Sequence, residues 1–178
     1  VARGAYSLAT DGCRRLVTGL RQGLDQGFHL VALDIEDAFC QVDRAAILAR
    51  LSSDAPPIAP FIQHVLQPNS IAAQGGDGSF HMATCTRGVI QGCPLSSTLF
   101  SLLLSRLVAD AVRARGGSLL TDANPFDADL VAASYADDIF LLSRSEDAAA
   151  TVARDLAASL AQVGLSLARG KTRLLAVN

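Results

Sequence analysis

The sequence is poor in the residues that usually hold nucleic acids. Lysine occurs once, as Lys171, and the 178-residue chain has a formal net charge of −2. Binding to a nucleic-acid backbone is normally driven by Lys and Arg. Any strong hold on a polyanion must therefore come from arginines that cluster in space or from regions outside this chain.

Long apolar runs and paired cysteines are lacking as well. The best apolar run, residues 99–112, is broken by Arg106 and Asp110, so we expect no membrane span. No signal peptide pattern is present, and we do not expect Val1 to be a natural start, so we expect a segment of a longer intracellular protein. The cysteines form no Cys-x-x-Cys pair and predict reduced, partly buried thiols rather than a zinc site; they are Cys13, Cys40, Cys85 and Cys93.

The composition is that of a globular domain. Half of the residues are hydrophobic and 18% are charged, which excludes a disordered chain. A chain of this length forms about one domain and is long enough to bury a substantial core.

The most informative stretch is Tyr135-Ala136-Asp137-Asp138, which lies between two apolar runs. Residues 130–134 and 139–142 predict buried β-strands, which places both aspartates at the tip of a hairpin. Adjacent carboxylates repel each other there and require a cation or a shared proton. Oxygen ligands favour Mg²⁺ or Mn²⁺. The alternative is an ordinary Asp-Asp turn between solvated strand ends.

A second acidic stretch follows another predicted strand. Residues 29–35 are apolar almost throughout, as in a central strand that is covered on both faces, and Asp34 comes at its end. Glu36 and Asp37 follow, so this strand end is either a metal site or a turn. A new helix comes next, with Asp43 as its cap and an end at Pro56-Pro57.

The N-terminal segment predicts an amphipathic helix that packs on a sheet. Residues 10–24 carry apolar side chains at helical spacing, with Thr10 as N-cap and Gly27 just past the end. The arginines of this helix form either a solvated face or a phosphate-binding face; they are Arg14, Arg15 and Arg21.

Three further segments predict helices. Residues 58–67 predict a short helix, and a loop at residues 87–96 opens a long helix that Ser96 or Ser97 caps. The last helix begins at Ser145 and ends at Gly164.

Strands and a connection account for the other segments. A hairpin is predicted around residues 75–78 and a final strand over residues 172–177, while residues 114–129 predict an exposed connection. This order predicts an α+β fold, with helices on one face of a largely antiparallel sheet.

Four segments, in this order and spacing, resemble the motifs of the reverse transcriptases. They are Asp34-Ile35-Glu36-Asp37-Ala38-Phe39, residues 87–100 with Gln91-Gly92 and Pro94-Leu95-Ser96, Tyr135-Ala136-Asp137-Asp138, and Gly164-Leu165-Ser166-Leu167 with Lys171-Thr172. The sequence at residues 91–100 is most similar to non-LTR retrotransposon enzymes, followed by those of group II introns and retrons.

The resemblance implies a polymerase palm, which is a ferredoxin-like or RRM-like antiparallel sheet, over residues 28–178. Residues 1–27 are then a remnant of the fingers, with the rest of the fingers and the thumb expected outside this chain. The implied activity is RNA-directed DNA synthesis, with an RNA template, a DNA primer and deoxynucleoside triphosphates as partners. The parent element is expected to act inside the nucleus, and the exposed sheet face of the isolated chain is expected to favour self-association.

The resemblance also implies a metal site. Nucleotidyl transfer with two metal ions needs carboxylates from two strand ends that meet at one point. Asp34 and Asp137 are the implied principal ligands and Asp138 an accessory one, while the Ile35 carbonyl binds the ion on the triphosphate side. Two Mg²⁺ ions, which Mn²⁺ can replace, are the expected cofactors.

A nucleotide pocket is implied beside these carboxylates. Asp37 and Ala38 offer backbone N–H groups to the triphosphate, and the ring of Phe39 is a steric gate against a ribose 2′-OH. Gln91 and Gly92 line the pocket.

The remaining implied roles concern the proton and the primer-template. Lys171 donates a proton to the leaving pyrophosphate, or else is a surface lysine before an edge strand. Tyr135, Ala136 and Pro94 contact primer and template.

The sequence departs from the family pattern at positions that touch no metal ligand: Ala168 replaces a common Asn, and Cys93 and Ser97 vary the second motif. Two other functions stay open. One is an RNA-dependent RNA polymerase, against which Phe39 and the Tyr135-Ala136 pair argue. The other is a non-catalytic palm that serves as a scaffold or nucleic-acid-binding module, although such palms usually lose their metal carboxylates.

Overall fold

The computed structural model describes residues 4–122, 126–168 and 170–175. Its main sheet consists of β1 (His29–Leu33), β4 (Ser118–Leu119), β5 (Leu130–Tyr135), β6 (Asp138–Ser143) and β7 (Arg173–Leu175). The strand order is β4-β5-β6-β1-β7. Neighbouring strands are antiparallel, except that β4 and β5 run parallel.

Side-chain caps fix where two of the helices begin. Asp43 accepts a hydrogen bond from the Ala45 N–H at 2.8 Å, and Ser145 accepts one from the Ala148 N–H at 3.3 Å, so both predicted caps are confirmed. The α-helices of the described residues are α1 (Gly12–Asp25), α2 (Ala38–Gln41), α3 (Arg44–Asp54), α4 (Ala59–Val65), α5 (Pro94–Arg113) and α6 (Glu146–Gln162).

The core is divided between the two faces of the main sheet, because successive side chains of a strand point to opposite faces. Leu33 and Leu141 belong to the larger cluster, with residues of α3, α5 and α6. Leu142 belongs to a smaller cluster that includes Leu16 of α1. The α+β class is confirmed, but the expectation of helices on one face needs a correction, because α1 covers part of the other face.

A separate two-stranded sheet forms the predicted hairpin around residues 75–78. Its strands, β2 (Asn69–Gln74) and β3 (Phe80–Cys85), pair in antiparallel fashion. Phe80 and Met82 of β3 are 71% and 67% exposed. The hairpin prediction is confirmed, and these strands contribute little to the core.

Two predicted caps are wrong. α1 begins after Asp11, which has a left-handed φ of 52°, and not after Thr10. α5 begins at Pro94, since proline fits the first position of a helix. Ser96 lies inside that helix, where its hydroxyl donates a hydrogen bond to the Ile90 carbonyl at 2.6 Å.

The predicted connection at residues 114–129 is partly structured. It contains β4, and Leu120 is only 1% exposed, because this short apolar segment lies beside β5. The final strand covers Arg173–Leu175, and the rest of its predicted range, residues 176 and 177, lies outside the described residues. All four thiols are free as expected, although Cys13 and Cys40 are exposed and not partly buried.

Helix α5 is long and apolar enough, by length and composition, to cross a membrane. The charges of Arg106 and Asp110, on which the expectation of no membrane span rests, lie inside this helix and do not exclude it by this criterion. However, 61% of its most apolar window is buried inside the protein. Such burial is typical of the core helix of a globular fold, in which α5 packs against the sheet and α6.

Candidate active site

Asp34 lies directly after β1, which runs between β6 and β7. The register pairs Leu33 with Ile139, so the next position along each strand brings Asp34 beside Asp138. The Asp34 side chain is 20% exposed. Its backbone carbonyl accepts a hydrogen bond from the Ala168 N–H at 2.9 Å, so the expectation that position 168 touches no implied metal ligand is wrong for the backbone. The strand end predicted to carry a ligand therefore reaches the β5–β6 hairpin.

The hairpin between β5 and β6 closes with a two-residue loop. Tyr135 pairs with Asp138, and Ala136 adopts a left-handed φ of 52°. Partial burial raises the pKa of Asp138, as do the nearby charges of Asp137 and Asp34. The three aspartates therefore interact electrostatically, as the sequence predicted for a shared site.

Lys171 closes this site from the turn that precedes β7. Its Nζ lies 2.9 Å from Oδ2 of Asp34. The contact with Asp34, together with the charges of Asp137 and Asp37, raises the pKa of Lys171. The lysine side chain is 71% exposed, so solvent screens this ion pair and the ammonium can leave at a small cost.

The chain turns sharply after Asp34. Ile35 is buried and forms a bridge with Leu167, and Asp37 has a left-handed φ of 45° just before α2. The ring of Phe39 stacks on Phe100 of α5, with centroids 5.0 Å apart. Phe39 is therefore held in place by packing against the long helix.

The loop before α5 is hydrogen-bonded to this turn. The Val89 N–H donates to the Phe39 carbonyl at 2.7 Å, and the Gln91 side-chain amide lies 3.5 Å from the Cys40 sulfur. The structure thus brings Gln91 to the turn that carries Phe39. In the described part of the chain, no side-chain hydrogen bond or ion pair joins Gln91, Gly92 or Pro94 to the aspartates.

The donor set suits a hard divalent cation, although the described residues hold no group of three His, Cys, Asp or Glu side chains gathered closely enough to bind one. Asp34 Oδ2 is buried and, apart from the contact with Lys171, accepts no hydrogen bond within the described residues. Carboxylates that lie close together repel each other and are stabilised by a cation between them. These residues therefore fit the metal that the motifs imply.

The order of these motifs along the chain agrees with one family. The sequence profile described as "Reverse transcriptase (RNA-dependent DNA polymerase)" matches residues 11–177. The chain belongs to the reverse transcriptase family. Its predicted membership is confirmed.

This reverse transcriptase chain is similar to a known retrotransposon protein and to solved telomerase structures. It is 29% identical over 135 residues to the retrovirus-related Pol polyprotein from type-2 retrotransposable element R2DM of Drosophila melanogaster, a match that covers 70% of this chain and 13% of that protein. The apo telomerase from Candida tropicalis has the same fold, with a TM-score of 0.74, 13% identity, and coverage of 98% of this chain and 33% of that one.

A second telomerase gives the same result. The telomerase from Candida albicans in complex with a TWJ fragment of telomeric RNA matches with a TM-score of 0.71 and 14% identity, over 98% of this chain and 32% of that one. This chain spans about a third of the length of each telomerase and about an eighth of the Pol polyprotein. These likenesses to telomerase concern the fold, which agrees with the predicted palm.

Sequence reasoning missed Arg44 in this reverse transcriptase chain. Arg44 is 7% exposed and lies in α3 with the buried residues Ile47 and Leu51. The spacing of these three positions puts the arginine on the apolar stripe of the helix, which is the signal that could have identified it. It also stands in the first turn of the helix, where a positive charge is disfavoured.

Proposed function

We propose that the chain is the RNA-directed DNA polymerase domain of a retroelement, which adds deoxynucleotides to a primer 3′-OH. The observation that carries this proposal is the placement of Asp34, at the end of β1, beside Asp138, which follows Asp137 at the tip of the β5–β6 hairpin and is influenced by the charges of both. Membership of the reverse transcriptase family supports it, as does the 29% identity to a retrotransposon Pol polyprotein.

In this proposal two Mg²⁺ ions, or Mn²⁺ in their place, are held by Asp34, Asp137, Asp138 and the Ile35 carbonyl. When bound, they activate the primer hydroxyl and neutralise the charge of the triphosphate. Asp34 is the ligand that already carries a cation partner, the Lys171 ammonium.

The nucleotide pocket is assigned to the turn and loop that contact each other. Phe39 is held against Phe100, where a rigid ring excludes a ribose 2′-OH and favours deoxynucleotides. Asp37 and Ala38 orient the triphosphate, and Gln91 and Gly92 line the base and template side.

Lys171 is proposed to donate a proton from its ammonium to the leaving pyrophosphate. The contact with Asp34 raises the pKa of Lys171, which favours the protonated form that such a donor needs. A Lys171→Leu enzyme should lose the limb of the pH–rate profile that reports this acid. An unchanged profile would remove Lys171 from the chemistry.

The nucleic-acid and protein partners follow from the proposed polymerase function. An RNA template and a DNA primer are proposed to contact Tyr135, Ala136 and Pro94. Residues 28–178 form the palm and residues 1–27 a remnant of the fingers, with the other fingers and the thumb supplied by a parent protein that acts in the nucleus.

A non-catalytic palm is the second candidate. The observation that favours it is that the described residues do not already gather three metal-ligating side chains. In this reading the Lys171–Asp34 ion pair is a permanent structural contact.

Primer extension separates the candidates. The naturally encoded protein is given a DNA primer on an RNA template, Mg²⁺ or Mn²⁺, and either deoxynucleotides or ribonucleotides, with Asp137→Ala as the matched variant. Extension with deoxynucleotides that Asp137→Ala abolishes is the expected result. Extension with ribonucleotides instead indicates an RNA polymerase, and a folded, primer-binding protein that does not extend indicates the scaffold.

A further inference from the structure

Arg44 is a buried cation that joins three separate segments. It is the first residue of α3 and is 7% exposed. Its Nε donates a hydrogen bond to the Gly88 carbonyl at 2.7 Å. Its Nη1 donates to the carbonyls of Leu66, Gln67 and Cys85, at 3.2, 3.0 and 3.0 Å.

These carbonyls belong to the end of α4, the end of β3 and the loop before α5. Each would need another donor without Arg44, because a buried backbone carbonyl without a partner is costly. The planar guanidinium presents its donors in a fixed fork, which an ammonium does not reproduce. The arginine therefore fixes the conformation of the loop and also keeps the loop in contact with α3.

The segment that Arg44 holds is in direct contact with the turn that carries Phe39. The Gly88 N–H donates to the Val42 carbonyl at 2.9 Å, and the Val89 N–H donates to the Phe39 carbonyl at 2.7 Å. A Cβ at Gly88 would lie 2.5 Å from the carbonyl oxygens of Phe39 and Cys40. The two backbones are thus as close as a glycine permits.

We propose that Arg44 is a positioning residue that sets the discrimination between deoxynucleotides and ribonucleotides. By binding the Gly88 carbonyl it holds the loop against the Phe39 turn, and so fixes the distance between the ring of Phe39 and the loop that carries Gln91. This inference deepens the proposed function and rests on it.

The test compares Arg44→Lys and Arg44→Met with Arg154→Met in the naturally encoded protein. Arg154 is an exposed arginine whose bonds stay within α6, to Ala150 and Thr151, so it is the matched control. KM and kcat are measured for a deoxynucleotide and for the matching ribonucleotide on an RNA template, with Phe39→Ala as the reference for an open gate.

We expect both Arg44 variants to raise KM for the deoxynucleotide and to reduce sugar discrimination, each by on the order of tenfold, which corresponds to the loss of about one charge-assisted hydrogen bond. KM for the primer-template should not change. Amide exchange at Val89 should become faster, while exchange in the core strands stays slow. A purely structural arginine would change the amount of folded enzyme and none of these ratios.

A second variant keeps the test decisive if both Arg44 variants fail to fold. Gly88→Ala pushes the loop away from the Phe39 turn from the other side, and it should reduce discrimination in the same direction. Where Arg44→Lys does fold, the two effects should be less than additive in an Arg44→Lys/Gly88→Ala double variant. Discrimination that is unchanged in the folded, active variants overturns the inference. If the wild-type protein incorporates neither kind of nucleotide, the proposed function fails, and the inference fails with it.

Discussion

The described residues form two β-hairpins whose strands are six residues each, and the two differ in burial and in the surroundings of their turns. The β5–β6 hairpin is buried along nearly its whole length, whereas the β3 strand of the other hairpin is exposed. Each hairpin carries an aspartate at its turn. Asp77 accepts hydrogen bonds from the N–H and hydroxyl of Ser79, which lower its pKa, while burial and like charges raise the pKa of Asp138.

The difference shows how a fold prepares a carboxylate for chemistry. The carboxylate of Asp77 accepts its hydrogen bonds within its own turn and needs no cation. Asp138 lies beside two other aspartates, and Lys171 is the cation that offsets this charge in the described part of the chain. The burial of β5 and β6 stabilises this hairpin, and it therefore holds Asp137 and Asp138 in place despite the repulsion between the carboxylates.

The largest expected difference between the two hairpins is in how much a truncated side chain lowers the stability of the protein. Leu141 of β6 is fully buried, and Met82 of β3 is 67% exposed. We expect Leu141→Ala to lower the free energy of unfolding by about 2–5 kcal/mol and Met82→Ala to change it by less than about 0.5 kcal/mol. Denaturant unfolding of both variants measures this. Similar losses would mean that the exposed hairpin is covered in solution.

A smaller effect is expected from divalent cations. At ten times its dissociation constant, Mn²⁺ should stabilise the protein by about 1.4 kcal/mol, because it binds the folded state only. The stabilisation should disappear in Asp34→Asn and persist in Asp77→Asn, as followed by thermal unfolding. Equal stabilisation of all three proteins would place the ion elsewhere.

The smallest individual effects are expected in the two turns. Ala136 and Gly78 both have left-handed φ angles, of 52° and 83°, and a Cβ at Gly78 would meet no other atom within 4 Å. Backbone strain alone therefore predicts that Gly78→Ala destabilises and Ala136→Gly stabilises, each by about 1 kcal/mol. Opposite signs in equilibrium unfolding would confirm this, and a destabilising Ala136→Gly would show that the methyl group makes a contact that outweighs the strain.

Both hairpins were predictable from the sequence, since each combines β-favouring runs with a turn signal. Their unequal burial was not, because apolar alternation does not tell which sheet a strand joins or what covers it. Asp34 and Asp137 could be assigned to one site only through the resemblance of their segments to reverse transcriptase motifs, because each segment by itself is also compatible with an ordinary turn. The second covered face of the main sheet, by contrast, depends on where α1 docks, which is a tertiary property.

Contacts that join distant segments were also beyond the sequence. The 2.9 Å approach of Lys171 to Asp34 depends on the register of β7 beside β1. Arg44 was missed because arginine is seldom buried unless it is paired, and the four backbone carbonyls that it binds among the described residues leave no mark in the sequence. The two-residue strand β4 is too short to give a periodic signal.

The most direct test of the account is the rate of incorporation of one deoxynucleotide on an RNA template, in the presence of Mg²⁺, by the naturally encoded protein and its variants Asp137→Asn and Asp77→Asn. Each substitution removes one carboxylate from a hairpin turn. We predict that Asp137→Asn lowers the rate by at least about 10²-fold and that Asp77→Asn leaves it unchanged. A wild-type rate in Asp137→Asn, or an equal loss in both variants, would contradict the assignment of the buried hairpin as the catalytic one.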